Sequence, residues 1–167
     1  MLLEQTPCQT PPRATVPPRA VTRRIAPERK IQVGGTSHSA VSDELKHARR
    51  AWVRYQSTRQ RDAVYGYLTA VFAIVQHWKR QHRAKVSSHH ALVATGQRRA
   101  IRNDEPFATV IFCTSDPEVV DSKTRSKWSR ALRYVKSKPA GQSVIDFIKS
   151  HGGINECARR FARGSID

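Results

Sequence analysis

The stretch AVYGYLTAVFAIVQHW, Ala63 to Trp78, contains no charged side chain, and no other uncharged run in the chain is as long. Crossing a bilayer takes about 20 predominantly apolar residues. This run is shorter and includes Thr69, Gln76 and His77, so it reads as a buried helix rather than a membrane span. Val64, Leu68, Val71, Val75 and Trp78 recur at the spacing of one helical face, which Tyr65, Phe72 and Ile74 widen. A helix apolar around most of its circumference belongs at the centre of a bundle. The expected fold is all-α, a compact bundle of about six helices over residues 42–167, organised round this element.

The flanking segments fit such a bundle. Ser42 is expected to cap a helix with Asp43 and Glu44 in its first turn, where the helix dipole favours negative charge. Leu45, Ala48, Trp52 and Tyr55 form its apolar stripe. SSHHALVAT is a short helix stopped by Gly96. Asp104, Glu105 and Pro106 resemble a helix start. The β-branched residues of FATVIFCT have strand propensity, but no second strand presents itself for pairing, so a helix is expected there too. Asp121 or Ser122 caps the next helix, whose inward positions are Trp128, Ala131, Leu132 and Val135; Pro139 and Gly141 end it. Ser143 starts VIDFIKSH, Gly152 and Gly153 end it, and INECARRFAR packs through Ile154, Cys157, Ala158 and Phe161.

Residues 1–41 differ in kind. Six of the nine prolines lie at or before Pro27, and the apolar content is too low to offset the entropy of ordering. A disordered, Pro-rich basic arm is expected. The opening residues lack the apolar core of a signal peptide, so the protein is expected to be soluble and cytoplasmic, with no membrane partner. Cys8, Cys113 and Cys157 are odd in number, far apart and form no CxxC pair, which supports neither a disulfide framework nor a zinc site. His89 and His90 diverge on a helix and lack a companion cluster. No cofactor or metal is expected. Paired carboxylates for hydrolysis, a Gly-rich phosphate loop and a nucleophile elbow are all missing, so catalysis is not expected either.

What the sequence does carry is charge. Lys and Arg number 30 against 13 acidic residues, a formal +17, and a polyanionic partner is the simplest explanation of so large a surplus. The helix KTRSKWSRALRYVK carries Lys123, Arg125, Lys127, Arg130, Arg133 and Lys136 with Ser126 and Ser129 interleaved, and no acid lies between Ser122 and Pro139. An ordinary solvated helix face mixes signs. Cations with short hydroxyl neighbours suit phosphate contact. Lys46, Arg50 and Arg54, at i, i+4 and i+8, make a second basic face, extended by Arg59, Arg61 and the loop QRRAIR.

The segment SHGGINECARRFARGSID resembles part of a helix-turn-helix. If INECARRF is the supporting helix, only Ser165, Ile166 and Asp167 follow Gly164. If it is the reader, it offers Asn155, Arg159, Arg160 and Arg163, residue types that pair with adenine and guanine edges. The competing reading is a helical hairpin that closes the core with its arginines turned outward.

These features favour a small nucleic-acid-binding protein, DNA ahead of RNA, accessory or regulatory in role and contacting phosphates through basic helices. RNA readers often expose aromatic rings for stacking, whereas Trp52, Trp78 and Trp128 fall on predicted apolar faces. The alternatives are an interaction module that docks on an acidic protein and, third, an exported effector-type substrate.

Overall fold

The computed structural model describes residues 38–58, 60, 62–96, 105–138 and 141–164. They form α1 (His38–Thr58), α2 (Ala63–Arg80), α3 (Ala84–Ala94), α4 (Pro106–Thr114), α5 (Ser122–Ser137), α6 (Val144–Ser150) and α7 (Ile154–Ala162), with no strand among them. The all-α bundle is therefore as expected, with seven helices in place of about six. Gly152 and Gly153 keep α6 and α7 apart, since both take positive φ, 86° and 88°. Most of the proposed arm, Arg59, Arg61 and the QRRAIR loop lie outside the described residues.

The uncharged run is the centre of the bundle. α2 packs against α1, α3, α4, α5 and α6, while α7 rests mainly on α5. Tyr67, Leu68, Val71, Val75 and Trp78 on α2 are fully buried. Trp52 of α1, Tyr67 of α2 and Trp128 of α5 meet edge to face with ring centroids 5.2 to 6.1 Å apart, tying three helices at one point. Tyr67 Oη also lies 2.8 Å from Thr114 Oγ1, which satisfies its buried hydroxyl against the end of α4.

Most helix ends follow the sequence. Glu105 accepts from the Phe107 N–H at 3.5 Å with Pro106 in the first turn of α4, so FATVIFCT is a helix with a proper start. Asp121 accepts from the Thr124 N–H at 2.6 Å, and Ser143 from the Asp146 N–H at 3.1 Å. Gly96 follows α3 with φ 70°.

Ser42 is the exception. α1 begins at His38, and Ser42 lies one turn inside it. The physical reason is Val41, fully buried, which extends the stripe of Leu45, Ala48 and Trp52 towards the N-terminus by one more position at helical spacing. Glu44 is consequently no first-turn acid. It accepts from Trp78 Nε1 and from Arg83 Nη2, the latter at 2.8 Å, and its Oε1 lies 3.4 Å from His77 Nε2.

Candidate nucleic-acid interface

α5 presents two kinds of cation. Its inner side is buried by Trp128, Ala131, Leu132, Tyr134 and Val135. The side towards α4 borders a groove of about 590 Å³ lined by Glu105, Ala108 and Phe112 of α4 and its start, and by Ser122, Arg125, Ser126, Ser129, Arg130 and Arg133 of α5. Three arginines and three serines share this wall. Lys123 and Lys127 are exposed on α5 but do not line the groove. The helical turn thus sorts a charge run that is uniform in sequence.

Two of the three arginines rest on aromatic rings. Arg125 sits over Phe112 with its Cζ 5.3 Å from the ring centroid, and its buried Nη1 has no hydrogen-bond partner among the described residues. Arg133 stacks on Phe161 of α7 at 4.4 Å, while its Nε lies 3.3 Å from Glu105 Oε2. A guanidinium on a ring keeps its planar fork pre-organised and gives up little further freedom when it meets an oxyanion. Arg130 Nε bonds back to the Ser126 carbonyl at 3.4 Å.

The basic face of α1 joins this groove through Arg49, a residue that sequence reasoning passed over. Arg49 Nε and Nη2 donate to the Cys113 carbonyl at 3.3 and 3.1 Å. It shares a shallow depression with Lys46, Arg50 and Val53, and it lines a second one together with Phe112 and Arg125. Phe112 and Arg125 in turn wall the α4–α5 groove. Lys46, Arg49 and Arg50 on α1 and Arg125, Arg130 and Arg133 on α5 therefore border one run of adjoining depressions. Lys46 is also held by Asp43 at 2.8 Å, and Arg54 is exposed outside the run.

The cations of α7 are differently placed. Glu156 takes both neighbours: Arg159 Nη2 at 2.6 Å and Arg160 Nε at 3.0 Å. The two guanidiniums hold the Glu156 carboxyl down to about 2. Cys157 and Ala158 are buried where α7 packs on α5, and Arg163 is exposed at its end. Two of the three arginines considered as base readers are thus ion-paired within their own helix.

Among the described residues, no group of three or more His, Cys, Asp and Glu side chains is placed to hold a metal ion. None of their helices is long and apolar enough to cross a membrane. Compared with models of protein families, with curated proteins and with solved structures, the chain matches none.

Proposed function

We propose that this chain binds nucleic acid, DNA ahead of RNA, through phosphate contacts along the run from Lys46, Arg49 and Arg50 on α1 to Arg125, Arg130 and Arg133 on α5, in an accessory or regulatory role. One observation carries the reading: three arginines and three serines line a single groove whose one acid, Glu105, faces Arg133. Arginine forks neutralise phosphates, and short hydroxyls donate to them without blocking close approach.

The preference for DNA rests on the aromatic rings. Trp52, Trp78 and Trp128 are buried, and Phe112 and Phe161 each carry a guanidinium over one ring face, which disfavours the stacking of unpaired bases on them. Phosphate contact without base readers implies binding that varies little with sequence.

Anisotropy titration of labelled duplex DNA, single-stranded DNA and RNA at about 50 and 200 mM salt tests this reading. Duplex affinity that survives the higher salt and is lost in Arg130→Ala/Arg133→Ala supports it. Equal and complete release of all three at the higher salt overturns it and turns attention to an acidic protein partner.

A further inference from the structure

Phe72, Gln76 and Arg80 stand four residues apart on α2, so they lie one above another along a strip about 12 Å long. The strip passes from aromatic ring to amide to cation. It walls a groove of about 720 Å³ between α2 and the place where α5 ends and α6 begins. Val135 of α5 and Val144 and Phe147 of α6 are buried beneath the groove. Lys136 and Lys138 at the end of α5 and Gln142 before α6 complete its polar edge. Lys138 Nζ is 5.5 Å from the centroid of the Tyr134 ring.

No acid lines this groove. Among the described residues, Asp43, Glu44, Asp62, Glu105 and Glu156 form ion pairs with other cations, and none pairs with Arg80, Lys136 or Lys138. The α4–α5 groove differs in kind: three serines and Glu105 line it, whereas this groove has no hydroxyl and four apolar side chains. A backbone phosphate gains nothing from those apolar walls, and a neutral apolar molecule gains nothing from three cations. A molecule with both parts uses the whole surface. Small-molecule sites have this size and make-up, apolar walls with a few polar groups that fix orientation. The exposed large apolar residues Val53, Val86, Val93 and Val119 do not border the groove. Its apolar surface therefore ends at its walls, short of the extent that a stable protein partner covers.

We infer that this groove binds one small organic carboxylate with an aromatic or acyl body. The body lies against Phe72, Val144 and Phe147. The acid group is met by Arg80, Lys136 and Lys138, and the amides of Gln76 and Gln142 add donors without adding charge. The groove shares no lining residue with the α4–α5 groove, so the inference stands apart from the nucleic-acid reading.

The test follows backbone amide shifts of the 15N-labelled full chain at constant ionic strength. 4-Phenylbutyrate supplies body and charge, 4-phenylbutyramide the body alone and acetate the charge alone. 4-Phenylbutyrate is expected to shift the amides of Phe72, Gln76, Lys136 and Gln142 saturably, and each partial probe to bind about tenfold more weakly or less. Arg80→Gln/Lys136→Gln, which changes two exposed side chains, should weaken 4-phenylbutyrate by a similar factor. Lys123→Gln/Lys127→Gln removes the same charge elsewhere on α5 and should leave its affinity unchanged. Acetate equal to 4-phenylbutyrate, equal losses from the two variants, or shifts spread over the whole surface would each overturn the inference. So would these amides responding to a DNA duplex or to an acidic, leucine-bearing peptide but not to 4-phenylbutyrate. Specific 4-phenylbutyrate binding in a protein that binds no nucleic acid keeps the groove and removes the proposed function.

Discussion

Arg49 on α1 donates from Nε and Nη2 to the carbonyl oxygen of Cys113, at 3.3 and 3.1 Å, near the end of α4. A single side chain thereby satisfies a carbonyl that the helix leaves without an intrahelical partner and fixes the basic face of α1 beside the α4–α5 groove. Both consequences can be tested. Arg49→Ala is expected to lower stability by about 1 kcal/mol, the worth of a charged hydrogen bond discounted for exposure. Arg49→Lys keeps the charge but loses the fork, and in equilibrium urea unfolding it should fall between wild type and alanine. In duplex titrations both variants should weaken binding, alanine more.

Glu44 gathers the indole N–H of Trp78, the guanidinium of Arg83 and the imidazole of His77. Arg83 is 12% exposed, and its Nε and Nη1 are buried without partners among the described residues. Removing the carboxylate strands that charge. Glu44→Ala is expected to cost about 3 kcal/mol, and Glu44→Leu/Arg83→Met much less than the sum of its single changes. Urea unfolding of the four proteins measures the cycle, and Trp78 fluorescence reports the loss of its acceptor locally.

Gly66 and Gly152 should respond in opposite directions to the same substitution. Gly66 lies within α2, and a Cβ added there meets nothing within 4 Å. Gly66→Ala is expected to stabilise by about 0.5–1 kcal/mol. Gly152 has φ 86°, and a Cβ there would lie 3.2 Å from Glu156 Cβ and Cγ. Gly152→Ala is expected to cost about 1–2 kcal/mol through the left-handed backbone alone. Thermal melts of the two variants beside wild type decide both.

These elements also mark how far the sequence reaches. The apolar seam of α2, the Asp121 and Ser143 caps and the Pro106 helix start are local patterns, and each is visible along the chain. Ser42 misled because a capping residue was read without Val41, whose burial is a tertiary fact. The α5 cations look alike in sequence; only the packing of α4 against α5 separates Arg125, Arg130 and Arg133 from Lys123 and Lys127. Arg49 sits four residues after Leu45, at the margin between stripe and basic face, and its carbonyl partner is 64 residues away.

Glu156 gives a pH signature with a definite sign. Its carboxyl, held down to about 2 by Arg159 and Arg160, contributes stability above the ordinary carboxylate range. That contribution is lost as the pH falls through about 4 towards the folded value. The difference in melting temperature between wild type and Glu156→Gln should therefore be constant from neutral pH down to about 5 and close below it. The same variant releases two guanidiniums on α7, and its duplex affinity should rise.

The most direct measurement separates position from charge. Arg130→Gln/Arg133→Gln and Lys123→Gln/Lys127→Gln each remove two positive charges from α5, the first pair from the groove wall and the second from outside it. Duplex affinity would be measured by anisotropy across a salt series, where each phosphate contact contributes about 0.9 to the log–log slope. The groove pair is expected to reduce the slope by about 2 and to weaken binding strongly at every salt. The outer pair should change both only modestly. Equal losses from the two variants would contradict a defined interface in the α4–α5 groove and leave only the attraction of net charge.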